Sequence, residues 1–394
     1  MRRLAIIGAG PMACVFAQRA RELGIETHCF AWAQGAQARD AVDVFHDVSV
    51  TEHHRIARIC RDLGIDGVVA TTELTIHPAA AVAHALGLNG HDVEVARVLT
   101  DKHRNREAVR DVEGLCQPRH RLVKADEPAD MGSWGLSYPA IVKPTSEGGK
   151  RGVTVVTDDA SLAGALAYAR QEKKASSDII VEELVPEGQE YSVESLSYHG
   201  EHRVIQVTEK WSSGAPHCVE LGHHQPARLS AAQRSRVEDV LARALSAVGV
   251  SNGCCHTEVK LCGDDLYLIE FNARPGGDHI SHPLTELSTG YPYVTGMIQI
   301  ALDDFELPDA SSFEANAAGI CFVTEQTKEL RDVFDRCQDE PWCYERHEVP
   351  GGLRSLEHNH VYDTNYFIYF SREGRPAFLD DVERHAWWRE AAGA

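Results

Sequence analysis

Twenty residues, 255–274 of the chain, restrict its fold more than any others. From Cys255 to Leu261 and from Leu266 to Arg274, apolar and polar residues alternate, and Gly263-Asp264-Asp265 between them is turn material. A period of two places His256, Glu258 and Lys260 on one face of the first strand, and Glu270, Asn272 and Arg274 on one face of the second. A three-residue turn centred on Asp264 would set Glu258 directly opposite Glu270. Facing carboxylates repel, so the pattern predicts a positive charge between them. Two glutamates and an asparagine amide offer oxygen ligands only, which suits Mg²⁺, with Mn²⁺ as the alternative; such ions complete their shell with water and nucleotide phosphates.

A second group of motifs precedes this ribbon. Pro139 to Lys143 is a short apolar strand ending in lysine, followed at once by Ser146-Glu147-Gly148-Gly149-Lys150-Arg151-Gly152. Its glycines let backbone N–H groups turn toward an anion, and Lys143, Lys150 and Arg151 add positive charge. The GxxxxGK[ST] spacing is absent, so this is not a Walker A loop. Asp178 to Pro186 is another apolar strand, ending in Glu182-Glu183, whose carboxylates could accept from an adenine amino group or a ribose diol. Glu190, Ser192 and Glu194 then share one face. The simpler alternative for that face is the wet side of an antiparallel sheet.

At 394 residues the chain has room for two to three domains. Its first hundred residues alternate: strand Leu4 to Ile7, helix 12–23, strand Thr27 to Trp32, helix 52–63, strand Gly67 to Ala70. This βαβ pattern predicts a parallel sheet. Gly8-Ala9-Gly10-Pro11-Met12-Ala13 forms a GxGxxA turn, yet the second strand runs into Ala31-Trp32-Ala33-Gln34 without the acid that holds a ribose, so a nicotinamide dehydrogenase is disfavoured against tight strand–helix packing. Gly319 to Val323 and Asn365 to Phe370 read as strands of a smaller closing unit. A net charge of −20 argues against nucleic acid as the main partner. Eleven cysteines, with Cys254 and Cys255 adjacent, are poor material for a disulfide framework, and the apolar run Leu4 to Ile7 is too short for a signal peptide or a membrane span. The expectation is a cytoplasmic protein without a membrane partner. The 21 histidines raise a zinc reading, but CxxC and HExxH are absent and His279-Ile280-Ser281-His282 lacks the partner spacing.

In this order the motifs resemble the ATP-grasp superfamily and, within it, the L-amino-acid ligase type of carboxylate–amine ligase, the bacilysin-synthetase-like dipeptide ligases. The resemblance implies an α/β chain, α+β in its grasp domains: an ATP-grasp fold with a Rossmann-like pre-ATP-grasp domain at 1–98. An ATP-grasp domain would follow at 99–310, with a lid subdomain at about 115–184, and a C-terminal subdomain at 311–394 would complete the large domain. It implies ATP and Mg²⁺ as cofactors. Lys102 and Lys143 match the two phosphate-holding lysines, and Ser146, Gly148, Gly149 and Gly152 belong to the glycine-rich lid loop. Glu182, Glu183 and Leu184 fall at the adenine, and Glu190 at the ribose. Glu258, Glu270 and Asn272 match the metal ligands, and Arg274 the arginine beside the reacting acyl phosphate. Glu220 and His223 resemble a substrate-contacting E-x-x-H, Glu73 a carboxylate turned toward a substrate amino group, and Gly277 with Asp278 stands where such ligases carry a pocket residue; an aspartate there departs from their bulky aromatic.

The activity so implied is ATP-dependent amide formation between small-molecule carboxylate and amine substrates, such as small amino acids, through an acyl phosphate with release of ADP and phosphate, in natural-product biosynthesis. The alternatives are a larger or carrier-bound substrate, or a non-catalytic nucleotide-binding regulator. The resemblance admits a homodimer.

Overall fold

The computed structural model describes residues 1–124, 127, 129–173, 178–215, 218–356 and 363–384. The remaining parts of the expected lid and C-terminal subdomains lie outside the described residues.

The first sheet is parallel. β1 (Arg3–Ile7), β2 (Glu26–Ala31), β3 (Val44–Asp47) and β4 (Gly67–Ala70) run in the order β3-β2-β1-β4. Helices α1 (Pro11–Glu22), α2 (His53–Leu63) and α3 (Ile76–Leu86) connect and cover them. Sequence periodicity had shown three of these strands. It missed β3, whose four residues are only half covered and carry no clean alternation. Gly8 has φ +100°, and a Cβ there would fall 2.3 Å from Thr71 Oγ1, which itself donates to Ile7 O. The first glycine of the GxGxxA turn thus serves close packing between β1 and the loop after β4.

The central sheet has nine strands: β5 (Leu115–Cys116), β10 (Gln189–Tyr198), β11 (Glu201–Ser212), β12 (Glu220–Gln225), β13 (Gly253–Cys262), β14 (Asp265–Asn272), β15 (Ala317–Val323), β16 (Cys343–His347) and β17 (Asn365–Ser371), in the order β16-β17-β15-β12-β11-β10-β13-β14-β5. β15 and β17, which the sequence reads as strands of a smaller closing unit, extend this sheet. Their residues are buried almost throughout, as strands covered on both faces must be. Behind the sheet, Val259 and Leu261 of β13 and Leu266, Leu268 and Phe271 of β14 pack with Val237, Leu241 and Leu245 of the helix Ala231–Val248. α4 (Val93–Leu99) adds Ala96 and Leu99 to the same core.

A third sheet, in the order β6-β9-β7-β8, joins β6 (His120–Val123), β7 (Ala140–Pro144), β8 (Thr154–Val156) and β9 (Ile179–Glu183). α5 (Lys102–Ala108), which packs on α4 and on β14 of the central sheet, buries Lys102, Asn105 and Arg106. All eleven cysteines are free, and no helix among the described residues is long and apolar enough to cross a membrane.

Candidate active site

Glu258 does pair with Glu270, and His256 with Asn272, but the turn differs from the one expected. Cys262 faces Asp265, so only Gly263-Asp264 form the loop, and the pairing near it is centred half a residue earlier than Asp264. Continued unchanged, that register would set Glu258 against Ile269. Between Val259 and Glu258 the register shifts by one, leaving Ile269 as the extra residue of a β-bulge. The spacing of the core residues Leu268 and Phe271, three apart, records the same shift. The bulge brings the two carboxylates opposite each other.

A second bulge acts likewise. Glu220 and His223 are an odd number of residues apart and would face opposite sides of a regular strand. On β12, however, Lys210 pairs with His223 and Trp211 with Gly222, while Ser212 pairs with Glu220, so Leu221 is skipped. Glu220 thereby joins His223 and Lys210 on one face.

This face continues across the sheet. Glu190, Ser192 and Glu194 of β10 stand opposite Lys260, Glu258 and His256 of β13. The two polar rows found separately in the sequence are thus neighbours on one wall.

Positive charge meets the carboxylates as anticipated, but from lysines on other elements. Lys102 Nζ lies 2.7 Å from Glu270 Oε2 and donates to Glu147 O at 3.0 Å. Lys210 Nζ lies 2.9 Å from Glu258 and 3.0 Å from Glu220, and Lys150 Nζ is 3.5 Å from Glu220. Burial disfavours every one of these charges. Lys210 and Lys150 still keep their protons well above the ordinary lysine range, because Glu220 and Glu258 outweigh desolvation; Lys102 is raised by Glu270 and Glu73. Glu258 is held far below the ordinary carboxylate range, burial being overcome by Lys210 and Lys150.

Glu182 shows the same logic in a closed setting. Its carboxylate is 1% exposed and receives Arg106 Nε at 2.8 Å and Lys143 Nζ at 2.5 Å. Despite burial, Arg106 and Lys143 bring it down to about 2, whereas Lys143 is lowered by burial. Arg106 Nη2 also donates at 2.9 Å to the carbonyl of Ile269, the bulged residue. One guanidinium therefore ties the third sheet to the bulge that aligns the metal-type carboxylates.

Glu194 and His256 form the floor beside Glu258. Glu194 accepts from His256 Nδ1, Ser281 Oγ, Gly276 N and Tyr293 OH. Burial opposes the imidazolium, but Glu194 and Glu258 raise His256 to about 9. Its Nε2 is 3.5 Å from Glu258 Oε1.

Comparison with known proteins agrees with this arrangement. Residues 136–282 match the family model of the ATP-grasp domain. Those residues carry an ATP-grasp domain. An L-amino acid ligase from Bacillus licheniformis has the same fold, with a TM-score of 0.77 at 22% identity over 99% of this chain and 97% of that one. A formate-dependent phosphoribosylglycinamide formyltransferase of Sodalis glossinidius (strain morsitans) is 25% identical over 288 residues, 69% of each protein. The alanine–anticapsin ligase of Bacillus subtilis (strain 168) is 25% identical over 282 residues, 65% of this chain and 58% of that protein.

ATP-grasp enzymes use ATP and Mg²⁺, and the donor set fits both. Glu258, Glu270 and Asn272 supply oxygen only, and Asn272 Nδ2 donates to Glu270 Oε1 at 2.9 Å, which leaves its amide oxygen available. Ser192 Oγ, opposite Glu258, is buried with no hydrogen-bond partner among the described residues, a polar atom awaiting one. The glycine-rich loop is close: Lys102 N donates to Thr145 O, and Ser146 Oγ to Asp101 Oδ2. Gly149 and Gly152 have φ +66° and +69°, and a Cβ on Gly148 would lie 2.3 Å from Glu73 Oε2, so Glu73 is brought against the loop. His223 Nε2 is 3.7 Å from Asp278 Oδ2, and Asp278 sits at φ +53° just after Gly277. Arg274 Nη1 donates to Pro275 O.

Glu183 and Leu184, expected at the adenine, stand at the end of β9. Glu183 lies on the opposite side of β9 from Glu182 and accepts from Ser137 N, with Arg119 at 3.6 Å. The backbone N–H of Leu184 donates to Pro139 O, and the side chain is exposed. Glu190 is half-buried opposite Lys260. Sequence reading overlooked Lys210 and Arg106. Lys210 did carry a signal: an unbroken buried strand from Val204 to Ser212 that tolerates a lysine needs an anion for it.

Proposed function

We propose that this chain is an ADP-forming carboxylate–amine ligase that joins two small amino acids, or related acids, through an acyl phosphate. The observation that carries the reading is the juxtaposition of Glu258, Glu270 and Asn272 with Lys102, Lys150 and Lys210 from separate elements around one wall, with Lys143 on Glu182 of the third sheet. A substrate carboxylate must approach a polyphosphate, so negative charge has to be neutralised first. Lys102, Lys143 and Lys150 provide this from the rim. Mg²⁺ held by Glu258, Glu270 and Asn272 would withdraw charge from the phosphate oxygens.

One oxygen of the acid then attacks the γ-phosphorus, ADP leaves, and the acyl carbon is activated. The amine displaces phosphate and gives up a proton. Glu220, His223 and Asp278, grouped near Lys210, would receive an ammonium group and take that proton. Arg274 and Lys210 would stabilise the oxyanion formed as the amide closes. Folding of residues 146–152 over the wall would keep water from the acyl phosphate, and Glu73, which lies against Gly148 of that loop, would receive a substrate amino group. The likeness to the Bacillus subtilis alanine–anticapsin ligase supports the amino-acid version of this chemistry. The similarly strong likeness to a formate-dependent transformylase favours, as a second reading, an acid that is not an amino acid.

A phosphate-release screen of amino acids, singly and in pairs, with ATP and Mg²⁺ tests the proposal. Release that needs an acid and an amine together supports it. Release with formate or another simple acid and no response to any amino-acid pair moves the assignment to the second reading.

A further inference from the structure

Outside the carboxylate wall, three metal-capable side chains converge where α5 meets the edge of the third sheet. His103 and Glu107 are four residues apart on α5 and so share one side of it, about 100° around the helix from Lys102 and Arg106. His120 opens β6 across from them. One ring nitrogen of each histidine and one carboxylate oxygen of Glu107 lie within 4.8 Å of one another. His120 Nε2 is 3.7 Å from Glu107 Oε1, while its Nδ1 is 3.2 Å from Pro118 O. That carbonyl can only accept, so Nδ1 carries the proton and Nε2 presents its lone pair toward Glu107, which is how a ligating imidazole is normally oriented. The other carboxylate oxygen of Glu107 is held by Arg110. His103 Nδ1 is shut off from solvent and has no hydrogen-bond partner among the described residues.

We propose that His103, Glu107 and His120 bind a transition-metal ion of the Zn²⁺ class, leaving at least one position open. Two imidazoles and one carboxylate select such an ion over Mg²⁺, which prefers oxygen alone. Ligands around Zn²⁺ at about 2.0 Å stand roughly 3.3 Å apart, and small side-chain rotations achieve this from the separations present. The site is distinct from the Glu258–Glu270 pair. It links α5, which carries Lys102 and Arg106, to β6, where His120 pairs in register with Glu182. A bound ion would staple the edge of the third sheet to the helix beneath the candidate nucleotide clamp.

The test is a titration of the full chain with Co²⁺ in excess Mg²⁺, which keeps the oxygen-only site filled, followed by visible absorption. One equivalent of Co²⁺ should give a ligand-field band that Zn²⁺ abolishes. His103→Ala and His120→Ala should each weaken Co²⁺ binding by at least about 10-fold, and Glu270→Gln should leave the band unchanged. X-ray absorption of the Zn²⁺-loaded wild type, which needs no variant to fold, should show two imidazoles on the metal. No band in excess Mg²⁺, a band that survives both histidine substitutions, loss of the band in Glu270→Gln, or fewer than two imidazoles would each overturn the assignment.

Discussion

Arg106 is buried, contacts no proposed substrate, and still holds the site's geometry together. It pairs with Glu182 and takes the carbonyl of the bulged Ile269. Arg106→Ala would leave a buried carboxylate with Lys143 as its one ion-pair partner among the described residues and strand a backbone acceptor. Removing one partner of a buried pair costs about 3–5 kcal/mol, so urea unfolding of this variant should show a loss of that size, and a loss under ~1 kcal/mol would mean the pair is not buried as described. His256 makes a pH-dependent claim. Its folded value of about 9 lies above the ordinary imidazole value of ~6.5. The stabilisation is therefore complete below pH ~6.5 and is lost as pH rises through about 9, up to roughly 3 kcal/mol in all. Melting temperature should fall between pH 7 and 10 in the wild type, and fall less in His256→Asn. Equal slopes would remove His256 from the Glu194–Glu258 bridge.

At the scale of elements, alternation in the sequence exposed the ribbon, its facing glutamates and the polar row of β10, because side-chain parity is a local property. The bulges at Ile269 and Leu221 were not legible, since an extra residue in a strand is a choice of backbone pairing without a residue signature. Glu258 therefore faces Glu270 through a shorter loop plus a bulge, where a longer symmetric turn was expected. Arg106 was hidden for another reason: its partners, Glu182 and Ile269, come from strands distant in sequence, as does Glu258, the second carboxylate on Lys210. The glycine-rich loop was legible in composition, and two of its glycines are required by conformation. Gly152 has φ +69° with a virtual Cβ 2.9 Å from Pro144 Cγ, so Gly152→Ala should destabilise the protein by about 1–3 kcal/mol in urea unfolding. A neutral result would mean that the loop does not hold this conformation in solution.

For the whole molecule, a net charge of −20 coexists with lysines from three separate elements that are each paired with a carboxylate of one wall, so local cations stand where a polyphosphate is proposed to bind. A ligand that engages both this wall and the third sheet should stabilise the chain as a unit. MgATP at 100 times its dissociation constant should add about 2.7 kcal/mol and slow hydrogen exchange across residues 146–152; protection confined to the first sheet would contradict that placement. The central claim, that two bulge-aligned glutamates grip the ion carried by a nucleotide, is tested most directly by calorimetric titration of ADP with and without Mg²⁺, in the wild type and in Glu270→Gln. The account predicts that Mg²⁺ strengthens ADP binding in the wild type and that this enhancement disappears in the variant while metal-free ADP binds both alike. An undiminished Mg²⁺ enhancement in Glu270→Gln would contradict it.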